Sequence, residues 1–513
     1  MDEVDIHHQD PPSCLIKRLP LELLLQITSS LPTRDLGHMR LTCRAIENML
    51  LNTFAEEFFS RKQFMLSFFS LNALIDISKS RMGRRIRRLQ FGTDALYEDV
   101  VMGRSNLTEL YTAQSEFLHT GVHRDMLVEA LRHLENLEDV VIRSFNSYGR
   151  TRDGPQAPWR SYGATTAERE TGRPVRMEYY RPGELRPIMF SHLLFNSLLD
   201  ALGAAGSRPT GIEIMGRGAP PLGDGAFALT PALRPSVPSM LHGLEKLHLH
   251  VEIRAPGRPV PGTGADKDKA RHSNILPWFL THTPNLKNLR INGKIQAGYE
   301  LEVFLKWLGE LVSDADSGPV PERDHGWPPP VALPKLEELS LGHMVTCYTV
   351  ALRVIRKFAP TLKRLELWRF TLRWVDEELP SGLATDSSGT APVLRPFLSS
   401  LLDIPVDLRH IMMGYIKEEW RVATEHLWPW PQVISDVSLG RGHPDCVAYT
   451  GSDWKPFIRE LLTTFRTAPI VQSTDMGAAN GGFAAGSFEE DSEMDSLEED
   501  SEMDSLEEDS EME

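Results

Sequence analysis

The phrase Leu244-Glu245-Lys246-Leu247-His248-Leu249 decides how most of this chain is built, because it keeps returning. It recurs as Ile86-x-x-Leu89-x-Phe91, Leu286-x-x-Leu289-x-Ile291, Leu336-x-x-Leu339-x-Leu341, Leu362-x-x-Leu365-x-Leu367 and Leu408-x-x-Ile411-x-Met413. Looser copies sit at 134–140 and at Ile212-Glu213-Ile214. The last two apolar residues of each copy alternate, as a short strand with one buried face requires. Helical runs at 276–280 and 351–358 enter the phrase through Pro284 and Pro360, so helix and strand take turns along the chain. The fold class is α/β, and the repetition predicts an irregular solenoid of stacked strand and helix units. Scattered strands of an ordinary α/β domain are the alternative.

The repeat is stretched. Central residues 247, 289, 339, 365 and 411 lie 42, 50, 26 and 46 apart, and only the third gap fits the ordinary period of about 20 to 29 residues. The surplus falls in segments rich in Gly, Pro and charge near 146–187, 255–273 and 313–334, which are expected to be loop insertions or disordered excursions. The expected division is a disordered arm at 1–14, a helical unit at 15–60, the repeat region at 61–470 and a disordered acidic tail at 471–513.

The helical unit opens with Leu19-Pro20-Leu21-Glu22-Leu23-Leu24-Leu25-Gln26-Ile27, then Leu31-Pro32, Asp35-Leu36, Arg40 and Cys43. Pro20 can start a helix without losing a needed N–H, and Leu24, Ile27 and Leu31 then step by three and four. A second helix is expected near Asp35, whose carboxylate can accept from first-turn N–H groups, with Leu36, Met39, Cys43, Ile46 and Leu50 as its stripe. A unit of about forty residues rarely stands alone, so the pattern predicts a docking device that needs a partner.

These residues resemble the F-box, whose Leu-Pro-x-Glu, Ile, Asp-Leu, Arg and Cys-basic positions read here as Leu19, Pro20, Glu22, Ile27, Asp35, Leu36, Arg40, Cys43 and Arg44. Ala45 and Ile46 stand where that family commonly has an aromatic residue. The resemblance implies binding to the Skp-type adaptor of a cullin ubiquitin ligase through Leu19, Pro20, Leu24, Ile27 and Leu36. The repeated phrase is similar to the leucine-rich repeat core. Together with 58–92 and 403–412, the whole looks like the expanded F-box proteins of filamentous fungi, which implies a substrate receptor.

Charge sets limits on partners. The 55 Lys and Arg face 71 Asp and Glu, for a formal net charge of −16, yet 15 of the acidic residues and no basic one lie from Glu489 onward. The preceding body, 55 basic against 56 acidic, is neutral and lacks the excess of cations that a nucleic-acid grip asks for. Cys14, Cys43, Cys347 and Cys446 form no Cys-x-x-Cys pair, which fits a reducing, cytoplasmic or nuclear setting and no disulfide frame or zinc site. MDEVDIHHQD is acidic where a secretory signal is basic then apolar, and the apolar run at 64–75 is too short to span a bilayer. No membrane association is expected.

Catalytic signatures are missing. There is no phosphate-binding Gly-x-x-x-x-Gly-Lys-Ser/Thr loop, no His-Glu-x-x-His helix and no Gly-x-Ser-x-Gly elbow, so neither an enzyme nor a cofactor is expected. His248 and His250 share a strand face but have no third ligand in view, so no metal site is expected; His7 and His8 lie in the arm. Arg81, Arg84, Arg85, Arg87 and Arg88 read as a solvated face beside Ile86, Leu89 and Phe91, or else as a phosphate-binding or nuclear-import cluster.

Strand alternation places the binding surface. If the leucines point inward, Lys246, His248, His250, Asn288, Arg290, Asn292, Glu338, Ser340, Arg364, Glu366 and Trp368 share the outward face as the expected contact with a protein target. In the tail, Ser492, Ser496, Ser501, Ser505 and Ser510 each precede an acidic residue by three, a context resembling that of casein-type kinases, and each phosphate adds roughly −1.5 to −2 charges. The expected function is a non-catalytic receptor subunit that works by proximity. The rivals are an F-box scaffold outside a ligase and an acidic-tailed chromatin-associated binding protein.

Overall fold

The computed structural model describes residues 16, 19–96, 105–145, 151–153, 160–172, 175, 190–216, 220–230, 232, 234–253, 275–293, 300–312, 327–374, 393–421, 432–439 and 446–467. The arm, the insertion at 255–273, most of that at 313–334, His7, His8 and the five tail serines lie outside them. The chain forms two compact units, 1–137 with 145–176, and 138–144 with 177–513.

The first unit begins with three helices, α1 (Leu21–Ser29), α2 (Thr33–Leu41) and α3 (Arg44–Phe59). Leu24, Leu36, Ile46, Leu50 and Phe58 form their shared core. The single second helix expected from the apolar steps is broken at Thr42 and Cys43, where Cys43 is extended. Asp35 does not cap α2. The cap comes from Asp153, which accepts from the Thr33 N–H at 2.8 Å. Next to it, Arg152 donates to both Glu57 carboxylate oxygens at 2.7 Å and to the Leu31 carbonyl at 2.7 Å. A partner for the helices is therefore supplied in part by this chain itself.

Strand β1 (Arg61–Met65) pairs in parallel with β2 (Arg88–Gly92), Phe64 facing Phe91. Helices α4 (Phe68–Lys79), α5 (Ser105–His119) and α6 (Val122–Leu131) complete this unit with α7 (Ala164–Thr171). The insertion at 146–187 is thus only partly loop: Tyr162 bridges to Phe64, and Met65 donates to the Tyr162 carbonyl at 3.1 Å. Ile86, Leu89 and Phe91 are wholly buried. Two of the arginines around them face α3, where Arg81 meets Glu47 and Arg85 meets Asn52 at 2.7 Å.

In the second unit, seven parallel strands lie in chain order: β3 (Asp139–Arg143), β4 (Gly211–Met215), β6 (Lys246–Glu252), β7 (Asn288–Asn292), β8 (Glu338–Gly342), β10 (Arg364–Trp368) and β12 (His410–Gly414). Short β5 (Leu222–Gly223) joins the far end of β6, and β15 (Cys446–Thr450) runs antiparallel to β12. Five of the repeated phrases lie here in one register, Leu247, Leu289, Leu339, Leu365 and Ile411 side by side. All five side chains are buried, because each strand presents the same parity to the same layer.

Helices α8 (Phe190–Ala205), α9 (Val237–Leu241), α10 (Ile275–Thr281), α11 (Glu300–Leu308), α12 (Tyr348–Phe358), α13 (Leu394–Leu402) and α14 (Lys455–Thr464) alternate with the strands, and α11 to α14 touch in sequence order. Buried acids hold two helix starts. Asp224 accepts from the Ile275 and Leu276 N–H groups, and Glu418 from those of Val393 and Leu394. Burial pushes Glu418 up to about 7.

A second sheet follows the first. Parallel β9 (Val345–Cys347), β11 (Thr371–Arg373) and β13 (Lys417–Arg421) continue with antiparallel β14 (Gln432–Ser438) and β16 (Arg466–Thr467). Each parallel member follows a first-sheet strand after a two-residue linker, His343-Met344, Arg369-Phe370 and Tyr415-Ile416. In each linker the first residue has positive φ, 53°, 48° and 49°, and the second is buried.

Candidate functional site

Two surfaces carry the residues singled out by the sequence. Just before α1, Leu19 is half-buried and Pro20 exposed. Ile27 is 46 % exposed and Leu23 47 %, and with Pro20 they follow steps of three and four. Leu24 and Leu36, also expected to touch a partner, are core residues instead. They lie on the stripe facing α3, and the outward stripe is the one offset by a residue, through Leu23. Leu41, at the end of α2, is 84 % exposed. Leu23 and Leu41 were not picked out by the sequence reading, and the signal for Leu23 was present in its spacing from Pro20 and Ile27.

On the sheet of the second unit, the open face carries side chains in rows. The first row brings Lys246, Asn288, Glu338, Arg364 and His410 into register. The middle row sets Glu213, His248, Arg290, Ser340 and Glu366 side by side. Most of these polar groups hydrogen-bond one another, while His248 Nδ1 and His410 Nε2 find no hydrogen-bond partner among the described residues. Lys246 Nζ donates to Asp139 Oδ2 at 2.9 Å and to Glu213 Oε1 at 3.0 Å. It reaches Asp139 across Gly211, where a Cβ would lie 1.9 Å from Asp139 Oδ1. Asn288 Nδ2 donates to Glu338 Oε2 at 2.6 Å, and its Oδ1 lies 3.0 Å from His248 Nε2.

Glu366 is the centre of this network. Its Oε2 takes the Arg290 guanidinium at 2.9 Å and its Oε1 that of Arg364 at 2.6 Å. Burial alone would raise its pKa, but Arg290 and Arg364 outweigh that and hold the carboxyl down to about 2. Burial pushes His248 down to about 4 even beside Glu213, so its imidazole is neutral at pH 7. Glu338 is pushed upward by burial, against the pull of Arg364.

The structure brings all eleven expected target-facing residues to this sheet, but three are not open to solvent. Ser340 is 5 % exposed, Glu366 3 % and Trp368 2 %. Strand parity does turn Trp368 outward. Gly414 on the next strand leaves space that the indole fills, and Tyr415 walls it in at a ring distance of 4.9 Å. His248 and His250 hold no metal arrangement: no cluster of three or more His, Cys, Asp or Glu suited to an ion occurs among the described residues. Near the amino ends of β8, β10 and β12, a depression of about 410 Å³ is lined by Glu337, Glu338, Lys363, Arg364, Arg409, His410 and Thr450.

The features define a two-unit chain, one unit opening on three helices with an exposed apolar stripe and the other built on a largely parallel sheet. Residues 16–54 match the F-box-like family, and the chain carries an F-box-like domain there. Such domains typically bind Skp-type adaptors. No curated protein matches the chain. No helix among the described residues is long and apolar enough to cross a membrane.

Proposed function

We propose that this protein is a substrate receptor of a Skp, cullin and F-box ubiquitin ligase, with α1 docking the adaptor and the open sheet face of the second unit holding a protein target. The observation that carries the reading is the F-box-like match at 16–54, reinforced by the exposed stripe of Pro20, Leu23 and Ile27 inside it. Exposed apolar side chains on a helix with its own packed core are what an adaptor would bury. On this reading the strands from β3 to β12 are degenerate leucine-rich units of the kind seen in the expanded fungal F-box proteins. The chain itself breaks no bond, and it accelerates transfer by holding the target near the charged enzyme.

The test is affinity purification of the intact chain beside a Leu23→Asp, Ile27→Asp variant, with partners read by mass spectrometry. Adaptor and cullin should vanish from the variant while target proteins remain. Retention of the adaptor by a folded variant would remove the F-box assignment of this surface. Loss of the cullin alone from the wild-type list, with the adaptor kept, would favour a scaffold outside the ligase.

A further inference from the structure

The depression at the amino ends of β8, β10 and β12 contains an arginine that is only partly engaged. Two guanidinium groups meet on Glu366, and they are placed differently: the Arg290 side chain is 13 % exposed, that of Arg364 38 %. Arg290 donates through Nε to Ser340 Oγ at 3.2 Å and through a terminal nitrogen to Glu366. Arg364 reaches Glu366 through Nε alone, and its two terminal nitrogens make no bond among the described residues. A guanidinium offers these nitrogens as a flat fork, the geometry that takes both oxygens of a carboxylate at once.

Neither neighbour in register answers that fork. On β8, Glu338 gives Oε2 to Asn288 and forms no ion pair among the described residues. On β12, His410 turns Nδ1 to Thr450 Oγ1 at 2.9 Å, and burial, with Arg364 beside it, lowers its pKa and favours the neutral ring. Lys363 and Arg409 line the same depression, each 54 % exposed and each held only by an exposed acid, Glu337 or Asp407. Such surface pairs are screened by solvent and exchange partners readily.

We propose that this depression recognises a carboxylate of the protein target, an Asp or Glu side chain or a free chain end, taken by the terminal nitrogens of Arg364 while Lys363 and Arg409 draw it in. The proposal rests on the reading of the sheet face as target-binding and adds the chemistry that the face selects. Charge separates a carboxylate from a phosphate here. Glu337 and Glu338 line the same depression, so a group with nearly two negative charges meets about twice the repulsion that a carboxylate meets. Arg364 therefore acts as the specificity-determining residue, and the network behind it, with Glu366 fixed by Arg290 as well, holds the fork in place.

The test uses the purified full chain and reads neither adaptor nor ubiquitin. A library of short synthetic peptides is passed over the immobilised chain, each with one fixed Asp, Glu, Asn, Gln or phosphoserine among randomised uncharged residues, and each made with a free and an amidated end. Peptides with Asp, Glu or a free end should be enriched, and the amidated set tells side chain from chain end. In the tightest peptide, replacing the carboxylate by its amide should weaken binding about tenfold. Arg364→Gln should weaken it equally, the two changes together should cost no more than either alone, and Arg364→Lys, which keeps charge but not the fork, should recover only part. In the unaltered chain, bound peptide should slow labelling of Arg364 by phenylglyoxal, a reading that needs no variant to fold. Peptides bound without preference for an acid, or losses that simply add, would overturn the carboxylate site and leave target binding by the face standing. Phosphoserine outranking Asp and Glu would overturn the choice of carboxylate, and no saturable binding of any peptide would overturn both readings.

Discussion

The α1 stripe and the open sheet face are both surfaces marked by the sequence, yet they are built on opposite principles. On α1 the exposed groups are apolar and unanswered: Leu23 and Ile27 each leave nearly half their surface in water. On the sheet the groups are polar and most are already answered, down to a carboxylate held by two guanidinium groups. Removing apolar surface from water drives association without needing any particular atom opposite, at roughly 25 cal/mol per Å². A satisfied polar network gives little affinity by itself, because each new bond replaces an old one. Under the proposed function the helices supply affinity and the sheet selectivity.

The largest effect should come from α1. Two carboxylates placed on its stripe by Leu23→Asp and Ile27→Asp should reduce adaptor affinity by at least about a thousandfold, since central apolar anchors contribute about 2 kcal/mol or more each. The melting temperature should hardly move, as both side chains already face solvent. Calorimetry with purified adaptor checks the first part and a thermal melt the second. A collapse of the fold would show that the stripe is internal and would break the comparison at its root.

Next in size is Glu366. Changing it to Ala takes from Arg290 and Arg364 the buried carboxylate they share, and losing one partner of such a buried group costs about 3–5 kcal/mol. Chemical denaturation of the full chain should show the loss. Acid acts in the same direction. The folded pKa of about 2 lies below the ordinary value of 4.5, so this contribution is present above that value and fades as pH falls toward 2.

A smaller effect tests whether the face is truly dry. The His248 pKa of about 4 in the folded chain lies below the free value of 6.5, so the native state holds fewer protons than the unfolded one between those values. Stability should therefore fall on acidification from about 6.5 to about 4, by up to about 3 kcal/mol, and His248→Asn should flatten that slope. Glu418 works against it. Its folded pKa of about 7 exceeds 4.5, so its contribution weakens as pH rises through that window, and only the variant comparison isolates the histidine.

Much of this architecture is legible in the sequence, and the failures have physical causes. The Leu-x-x-Leu-x-Leu phrase places its strands because parity and burial are properties of neighbouring residues. Arg290 and Glu366 are placed on a common face by parity, but their pairing across β8 depends on register between strands 76 residues apart, which no local pattern records. Trp368 misleads for the same reason: a glycine on the next strand, not its own neighbours, decides that it is covered. The second sheet escapes because its first two members, β9 and β11, are three residues long, below the length at which alternation can be recognised. Its trace is the buried second residue of each linker, Met344, Phe370 and Ile416, which breaks the period of two. On α1 the stripe is legible, but its outward side is not, since Leu24 and Leu23 are equally apolar and only α3 distinguishes them.

The smallest expected effect lies at the rim of the sheet, and it sharpens the division between affinity and selectivity. Just before the strands, Lys287 meets Glu245 at 2.8 Å and Lys363 meets Glu337 at 3.0 Å. All four side chains are about half exposed, so solvent screens them and each pair is worth roughly 0–1 kcal/mol, unlike the buried pairs of Glu366. Lys287→Ala and Lys363→Ala should shift the denaturation midpoint barely beyond error. Yet Lys363 and Glu337 line the depression at the amino ends of β8 to β12, where a target could exchange one partner of the pair for its own charge. The double variant should accordingly keep the adaptor, keep its stability and slow the association of a target at low salt, with the difference vanishing as salt rises. Measuring association rates at two ionic strengths decides the matter. A stability loss well above about 1 kcal/mol would mean that the rim pairs are structural and that selectivity must be sought elsewhere on the face.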